Sequence, residues 1–193
     1  MARCQNLAVS ELGKIVILNG APRSGKSSIM RIIQETFEEP WMNLGVDVFA
    51  RQVTPERFQP GIGLRPGGER PDLEPFVHQS YAAMYDSIAA HSRQGLNVVV
   101  DVGHHDLAIW ADCMRRLDGL PVLLVGVMCP IETIMERRNA QPSGYAVGSP
   151  EDLIPDPVQR WQDSVHLGHN YDVTVDTSVQ TPEECARIIL DRL

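Results

Sequence analysis

The sequence predicts an α/β protein: a five-stranded, mainly parallel sheet flanked by helices, with a lid segment. Two observations predict it. Short, β-branched apolar runs alternate with segments of helical spacing along the whole chain. A glycine-rich loop, Gly20-Ala21-Pro22-Arg23-Ser24-Gly25-Lys26-Ser27, joins the first apolar run to the first helical one.

That loop is a complete G-x-x-x-x-G-K-[ST] phosphate-binding motif between a strand and a helix, the context in which it works. Its four fixed positions arise by chance in roughly one per cent or fewer of chains this long. The class it points to is the P-loop NTPase/kinase fold. The physics explains the spacing. Gly20 ends the strand and lets the chain turn. The following backbone N–H groups form a concave anion nest. Gly25 lets the backbone approach phosphate closely. Lys26 brings a mobile positive charge, Ser27 offers a hydroxyl to a metal ion, and the helix start at Ser28 adds positive potential. Arg23 is either a further charge at the phosphates or a solvated loop arginine.

The elements follow in order. Residues 14–18 form the first strand and residues 28–37 the first helix. A second strand covers 41–46 and ends at Asp47. A glycine- and proline-dense stretch, 59–71, interrupts the alternation. Leu73, Phe76, Val77, Tyr81, Met84 and Ile88 then recur at helical spacing until Gly95 stops the helix. The third strand, 98–100, ends at Asp101. The fourth, 122–128, is apolar throughout, as a strand buried on both faces should be. A helix with Ile131, Ile134 and Met135 on its inner face ends at Arg137 and Arg138 and opens a second irregular stretch, 139–157. The fifth strand, 171–175, precedes Asp176. The last helix opens with Thr181-Pro182-Glu183-Glu184, a capping box with proline in the first turn, and buries Cys185, Ile188, Ile189 and Leu193. One domain spans 1–193. Its long irregular stretches read as an acceptor-side loop (about 59–71) and a lid (about 137–157).

Bulk properties narrow the function. A net charge of −8 over 193 residues argues against a general nucleic-acid binder. Cys4, Cys113, Cys129 and Cys185 are widely spaced, which fits reduced thiols better than a disulfide frame or a zinc site. The N-terminus lacks an apolar run of signal-peptide length and no run approaches membrane-spanning length, so a cytoplasmic protein with no membrane partner is expected. Oligomeric state is left open.

A phosphate loop alone serves a kinase, an NTPase or a switch, and the remaining polar residues decide between them. In parallel α/β sheets, ligands bind beyond the carboxyl ends of the strands. Asp47 and Asp101 follow two such ends and should face the rim that holds Lys26. Asp101, after the central run, reads as the metal-side carboxylate with Ser27, or else as a strand-end cap. Asp47 reads as the acceptor-side base, or else as the N-cap of residues 48–51. Arg137 and Arg138 either reach the transferring phosphoryl group or form a solvated helix end; Arg137 is the favoured one. His104-His105-Asp106 raise a metal site, but adjacent histidines on a regular strand do not readily face one ion; they can instead line an acceptor pocket. His166 and His169 read as a polar turn.

With those residues in view, the chain resembles the chloramphenicol phosphotransferase-like proteins, small P-loop kinases that include an antibiotic-inactivating member. The match runs through ILNGAPRSGKSSI, EPWMNLGVD, GIGLRPGGE, NVVVDV, LLVGVMCP with Glu136-Arg137 shortly after, and VHLGHNYDVTVDTS, over roughly residues 14–193. The resemblance implies Mg²⁺- and ATP-dependent transfer of a γ-phosphoryl group to a hydroxyl of a small molecule, with the base on Asp47 and the lid arginine on Arg137. By analogy with similar kinases, the adenine lies near Arg137 and Thr177–Ser178. The chain departs from the family pattern at Gln141, where the antibiotic-modifying member has an arginine. It departs again at Val102, which replaces a second aspartate, and in the loop Gly103-His104-His105. These departures touch the acceptor side and leave ATP chemistry intact. Two alternatives stand beside this reading: a kinase of a nucleotide sugar or another metabolite, resembling zeta toxins, and a nucleotide-binding regulatory module without transfer.

Overall fold

Five apolar runs become strands: β1 (Ile15–Asn19), β2 (Trp41–Asn43), β3 (Asn97–Val102), β4 (Val122–Met128) and β5 (Val173–Asp176). In a computed structural model that describes residues 11–59, 71–141, 148–149 and 153–193, they form one sheet in the order β2-β3-β1-β4-β5. Every pairing is parallel. Residues 60–70 of the expected acceptor-side loop, and 142–147 and 150–152 of the expected lid, lie outside the described residues.

Alternation along the strands builds two cores. Ile15, Ile17, Val98, Val100 and Leu124 face α2 (Glu74–Arg93) and α3 (Leu107–Arg116). Val16, Leu18, Val99, Val125, Val127 and Val175 face α1 (Lys26–Thr36) and α6 (Pro182–Leu190). β1, β3 and most of β4 are covered on both faces, which is why their middles (residues 15–18, 98–100 and 124–127) carry no polar side chain. Each such buried aliphatic side chain contributes roughly 1.5–3 kcal/mol. A smaller cluster (Ala21, Cys129, Ile134, Met135, Val158, Val165) joins the phosphate loop to α4 (Ile131–Ala140) and α5 (Asp156–Ser164). The capping box of α6 forms as its sequence predicts: Thr181 Oγ1 accepts from Glu184 N at 3.2 Å, and Thr181 N donates to Glu184 Oε2 at 2.8 Å.

Two expectations are corrected, and one helix is added. The second strand stops at Asn43, not at residue 46. The Asn43 side chain accepts from Gly45 N at 2.9 Å and turns the chain out of the sheet into a π-helical segment, Val48–Val53. α3 is a helix to which the residue spacing assigned no element; Asp106 caps it by accepting from Ala108 N at 2.7 Å and Ile109 N at 3.4 Å. α5 begins inside the stretch expected to be irregular. Its Pro157 sits in the first turn, where a missing N–H costs nothing. Among the described residues no helix is long and apolar enough to cross a membrane.

Candidate active site

The parallel register brings the functional residues to one edge. Leu18 lies beside Asp101 in β3, and Asn19 beside Val102 and Gly126, so the chain leaves β1 into Gly20 next to the end of β3. Asn19, fully buried, pins this junction. Its Nδ2 donates to Val165 O (2.8 Å) and Tyr171 Oη (2.7 Å), and its Oδ1 accepts from His104 N (2.7 Å). Nothing in the residue spacing marks Asn19, because its partners lie far along the chain.

The loop itself is tightly wound. Gly25 has φ 97°, and a Cβ there would meet the Thr177 side chain at 3.1 Å. At Gly20 a Cβ would fall 2.6 Å from Val127 O. Ala21 and Ser24 are buried, and Pro22 and Ser28 are half-buried. Lys26 Nζ donates to Gly20 O and Ala21 O, both at 2.8 Å. Its burial pushes the ammonium down to about 8, against the pull of Asp101 and Asp47, with Arg138 pushing it further down.

Ser27 Oγ donates to Asp101 Oδ2 at 3.1 Å. Asp101 is buried, which pushes its carboxyl up; Lys26 opposes the shift and Asp47 adds to it. Its other oxygen, Oδ1, is buried with no hydrogen-bond partner among the described residues. A hydroxyl and a desolvated carboxylate beside a phosphate cradle are the oxygen donors that a hard divalent cation takes. The residues therefore fit Mg²⁺. Among the described residues no group of three histidine, cysteine or acidic side chains could hold a metal, so the His104–His105 pair does not form one there. His104 is instead buried, with Nε2 2.6 Å from Tyr85 Oη, and burial pushes its imidazole down to about 3. His105 packs on Trp161 with ring centroids 4.4 Å apart.

Asp47 sits at the head of the Val48–Val53 turn without capping it, and Oδ1 lies 3.2 Å from Arg51 Nε. Val46, its neighbour in the chain, helps line a small apolar groove with Phe49, Phe58, Phe76 and Met84, in which Thr54, Ser80 and Tyr81 carry the hydroxyls. Helical spacing assigned Phe76, Tyr81 and Met84 to the core; the structure makes them a groove wall as well. Their signal was present, but periodicity cannot separate a wall from a core.

Arg137 is engaged on the Thr177 side of the loop. Its guanidinium donates to Thr177 O (2.7 Å), Thr177 Oγ1 (3.1 Å) and Arg23 O (3.2 Å), while Thr177 Oγ1 donates to Ser24 O (2.6 Å). Ser178 does not reach the loop; its N and Oγ bond Asp176 Oδ1 at 2.8 and 2.6 Å. The buried neighbour whose charge reaches Lys26 is Arg138. Arg23, the loop arginine, donates to Gln141 Oε1 (3.1 Å) and Gln141 O (2.7 Å).

Comparison with known proteins decides among the P-loop classes. The model of the "Chloramphenicol phosphotransferase-like protein" family matches residues 13–193. This chain is a member of that family. The family match makes it a phosphotransferase. A Mycobacterium tuberculosis protein (strain H37Rv), provisionally named an O-phosphotransferase, is 27% identical over 91% of this chain and 80% of its own length. Among solved structures, shikimate kinase from Acinetobacter baumannii superposes with TM-score 0.61 at 14% identity, covering 94% of this chain and 93% of that one. A gluconokinase from Sinorhizobium meliloti gives 0.60 at 20%, covering 94% and 91%. The fold of this phosphotransferase is thus shared with these kinases.

Proposed function

We propose that this phosphotransferase moves the γ-phosphoryl group of ATP to a hydroxyl of a small molecule with a largely apolar body. The apolar groove lined by Val46, the residue before Asp47, carries the reading. Its lining among the described residues has hydroxyls but no charged side chain, which suits an aromatic or aliphatic alcohol better than a nucleotide sugar.

In this mechanism ATP lies along residues 20–28, with its base beside Arg137, Thr177 and Ser178. Lys26 leaves the carbonyls of Gly20 and Ala21 for the phosphates. Ser27 and Asp101 would hold Mg²⁺, which supplies positive charge to the phosphate oxygens when bound. The acceptor oxygen bonds the γ-phosphorus as the bridging bond to the β-phosphate breaks, and that electron pair leaves on ADP. The acceptor's proton passes to Asp47. Arg51 holds Asp47 Oδ1, so Oδ2 is assigned to that proton. Lys26, Arg138 and, from the base side, Arg137 supply the positive charge around the transferring group.

The test is an ATP-dependent screen of chloramphenicol-type alcohols, nucleosides and sugars with product identification by mass spectrometry. Phosphorylation of an apolar-bodied alcohol is expected. Transfer only to sugars or nucleosides would overturn the substrate class, and ATP binding with no transfer to any acceptor would favour a regulatory module. Asp47→Asn should abolish transfer while ATP affinity stays nearly unchanged; full turnover in that variant would remove Asp47 as the base.

A further inference from the structure

Among the described residues Arg23 is the only non-glycine with positive φ, at 73°. A left-handed backbone is unfavourable for any residue with a Cβ, and a phosphate-loop position of this kind suits glycine. An arginine held there needs compensating contacts, and three hydrogen bonds tie it to the end of one helix. Its guanidinium forks onto Gln141, bonding the side-chain Oε1 at 3.1 Å and the main-chain O at 2.7 Å. Its own carbonyl accepts from Arg137, one turn earlier on the same helix, at 3.2 Å. Gln141 is the C-terminal cap of α4, where main-chain carbonyls lack helical partners and the dipole favours a cation. The loop thus caps α4 from outside the helix.

We propose that Arg23 is a positioning residue that clasps the last turn of α4 to the phosphate loop, so that nucleotide binding in the loop sets the placement of Arg137 and Arg138. The inference rests on the nucleotide-binding reading above. A two-pronged guanidinium fixes orientation as well as distance; an ammonium in its place acts as a point charge and fixes neither prong. Arg23 acts through α4, with its fork on the helix end rather than on the phosphates.

Hydrogen exchange read by mass spectrometry, with and without Mg²⁺ and the non-hydrolysable analogue AMPPNP, tests this on the wild type, Arg23→Gly, Arg23→Lys and Gln141→Ala. Gly is the residue best suited to the backbone at position 23, so Arg23→Gly should melt no lower than the wild type. A clearly lower melting point would make Arg23 a folding residue and overturn the proposal. In the wild type AMPPNP should slow exchange both in the loop and at residues 137–141. In Arg23→Gly the loop should still be slowed, while the slowing at 137–141 should fall roughly tenfold, the scale of a lost two-pronged contact. Gln141→Ala should fall between the two, and Arg23→Lys should resemble Arg23→Gly. Undiminished slowing of 137–141 in Arg23→Gly, or full recovery in Arg23→Lys, would overturn the clasp. No slowing of the wild-type loop would instead overturn nucleotide binding, and this inference with it.

Discussion

Ser27 Oγ donates a 3.1 Å hydrogen bond to Asp101 Oδ2 across 74 residues of sequence, tying the start of α1 to the end of β3. That bond leaves Asp101 Oδ1 buried without a partner among the described residues. If Asp101 helps hold Mg²⁺, Asp101→Asn should keep the shape and the Ser27 contact but remove the charge. Titration of Mg²⁺ against ATP binding should show the metal requirement rising at least roughly tenfold, the scale of losing one charged ligand or outer-sphere partner. An unchanged titration would remove Asp101 from the metal side.

Lys26 gives a pH dependence with a defined sign. Burial holds its ammonium down to about 8 in the free protein, and phosphate binding needs the charged form. ATP affinity should therefore be flat below that value and weaken as pH rises through it, by up to about tenfold per pH unit. Calorimetry in buffers of different ionisation enthalpy should record proton uptake on binding above pH 8, because the phosphate charge raises the lysine's affinity for a proton taken from the buffer. Uptake absent in the wild type, or persisting in Lys26→Ala, would contradict the assignment.

Gly45 provides a steric test. A Cβ there would stand 1.9 Å from Asp101 Oδ1 and 3.1 Å from Asp101 N. Gly45→Ala should displace the carboxylate, costing about 1–3 kcal/mol of stability and most of the activity. Gly119→Ala is the control: its φ is 73° but nothing lies within 4 Å of the added carbon. It should cost roughly 1 kcal/mol through backbone strain alone and leave turnover intact. Equal activity losses in the two variants would show that crowding at Asp101 is not what matters.

His104 should make the fold acid-sensitive. Its imidazole is held down to about 3 by burial first, then by His169 and His105, while the unfolded chain binds a proton near the ordinary value of 6.5. Between those two values the unfolded state carries the extra proton, so stability falls as pH falls through that window, by up to about 1.4 kcal/mol per pH unit. Denaturant unfolding from pH 7 downward should show this slope, and it should be shallower by that amount in His104→Gln. Parallel curves for the two proteins would rule out His104 as the source.

The order of strands and helices was legible because each rests on local chemistry. β-branched runs such as Val98-Val99-Val100 favour strands, and the Thr181–Glu184 box satisfies its own helix start. The exceptions were also local in origin. Asn43 turned the second strand out two residues before Gly45, and Pro157, the last residue of the stretch expected to be irregular, serves as a first-turn proline. Asn19 and Trp161 carried no signal, since their neighbours come from distant segments.

The sequence by itself determined that residues 20–27 form a phosphate-binding motif between a strand and a helix, because that loop's chemistry depends on backbone amides and on side chains a few residues apart. It also determined that Lys26, Ser27 and the strand-end Asp101 share one edge, because parallel strands present their carboxyl ends together. Only the tertiary structure decided how the arginines divide: Arg137 on Thr177, Arg138 buried within reach of Lys26, and Arg23 on Gln141. Only the tertiary structure, too, turned Phe76, Tyr81 and Met84 into a groove wall with Val46. Side-chain direction at a helix end, and the gap between a helix and a distant turn, are set by packing between segments, and periodicity within one segment carries no record of it.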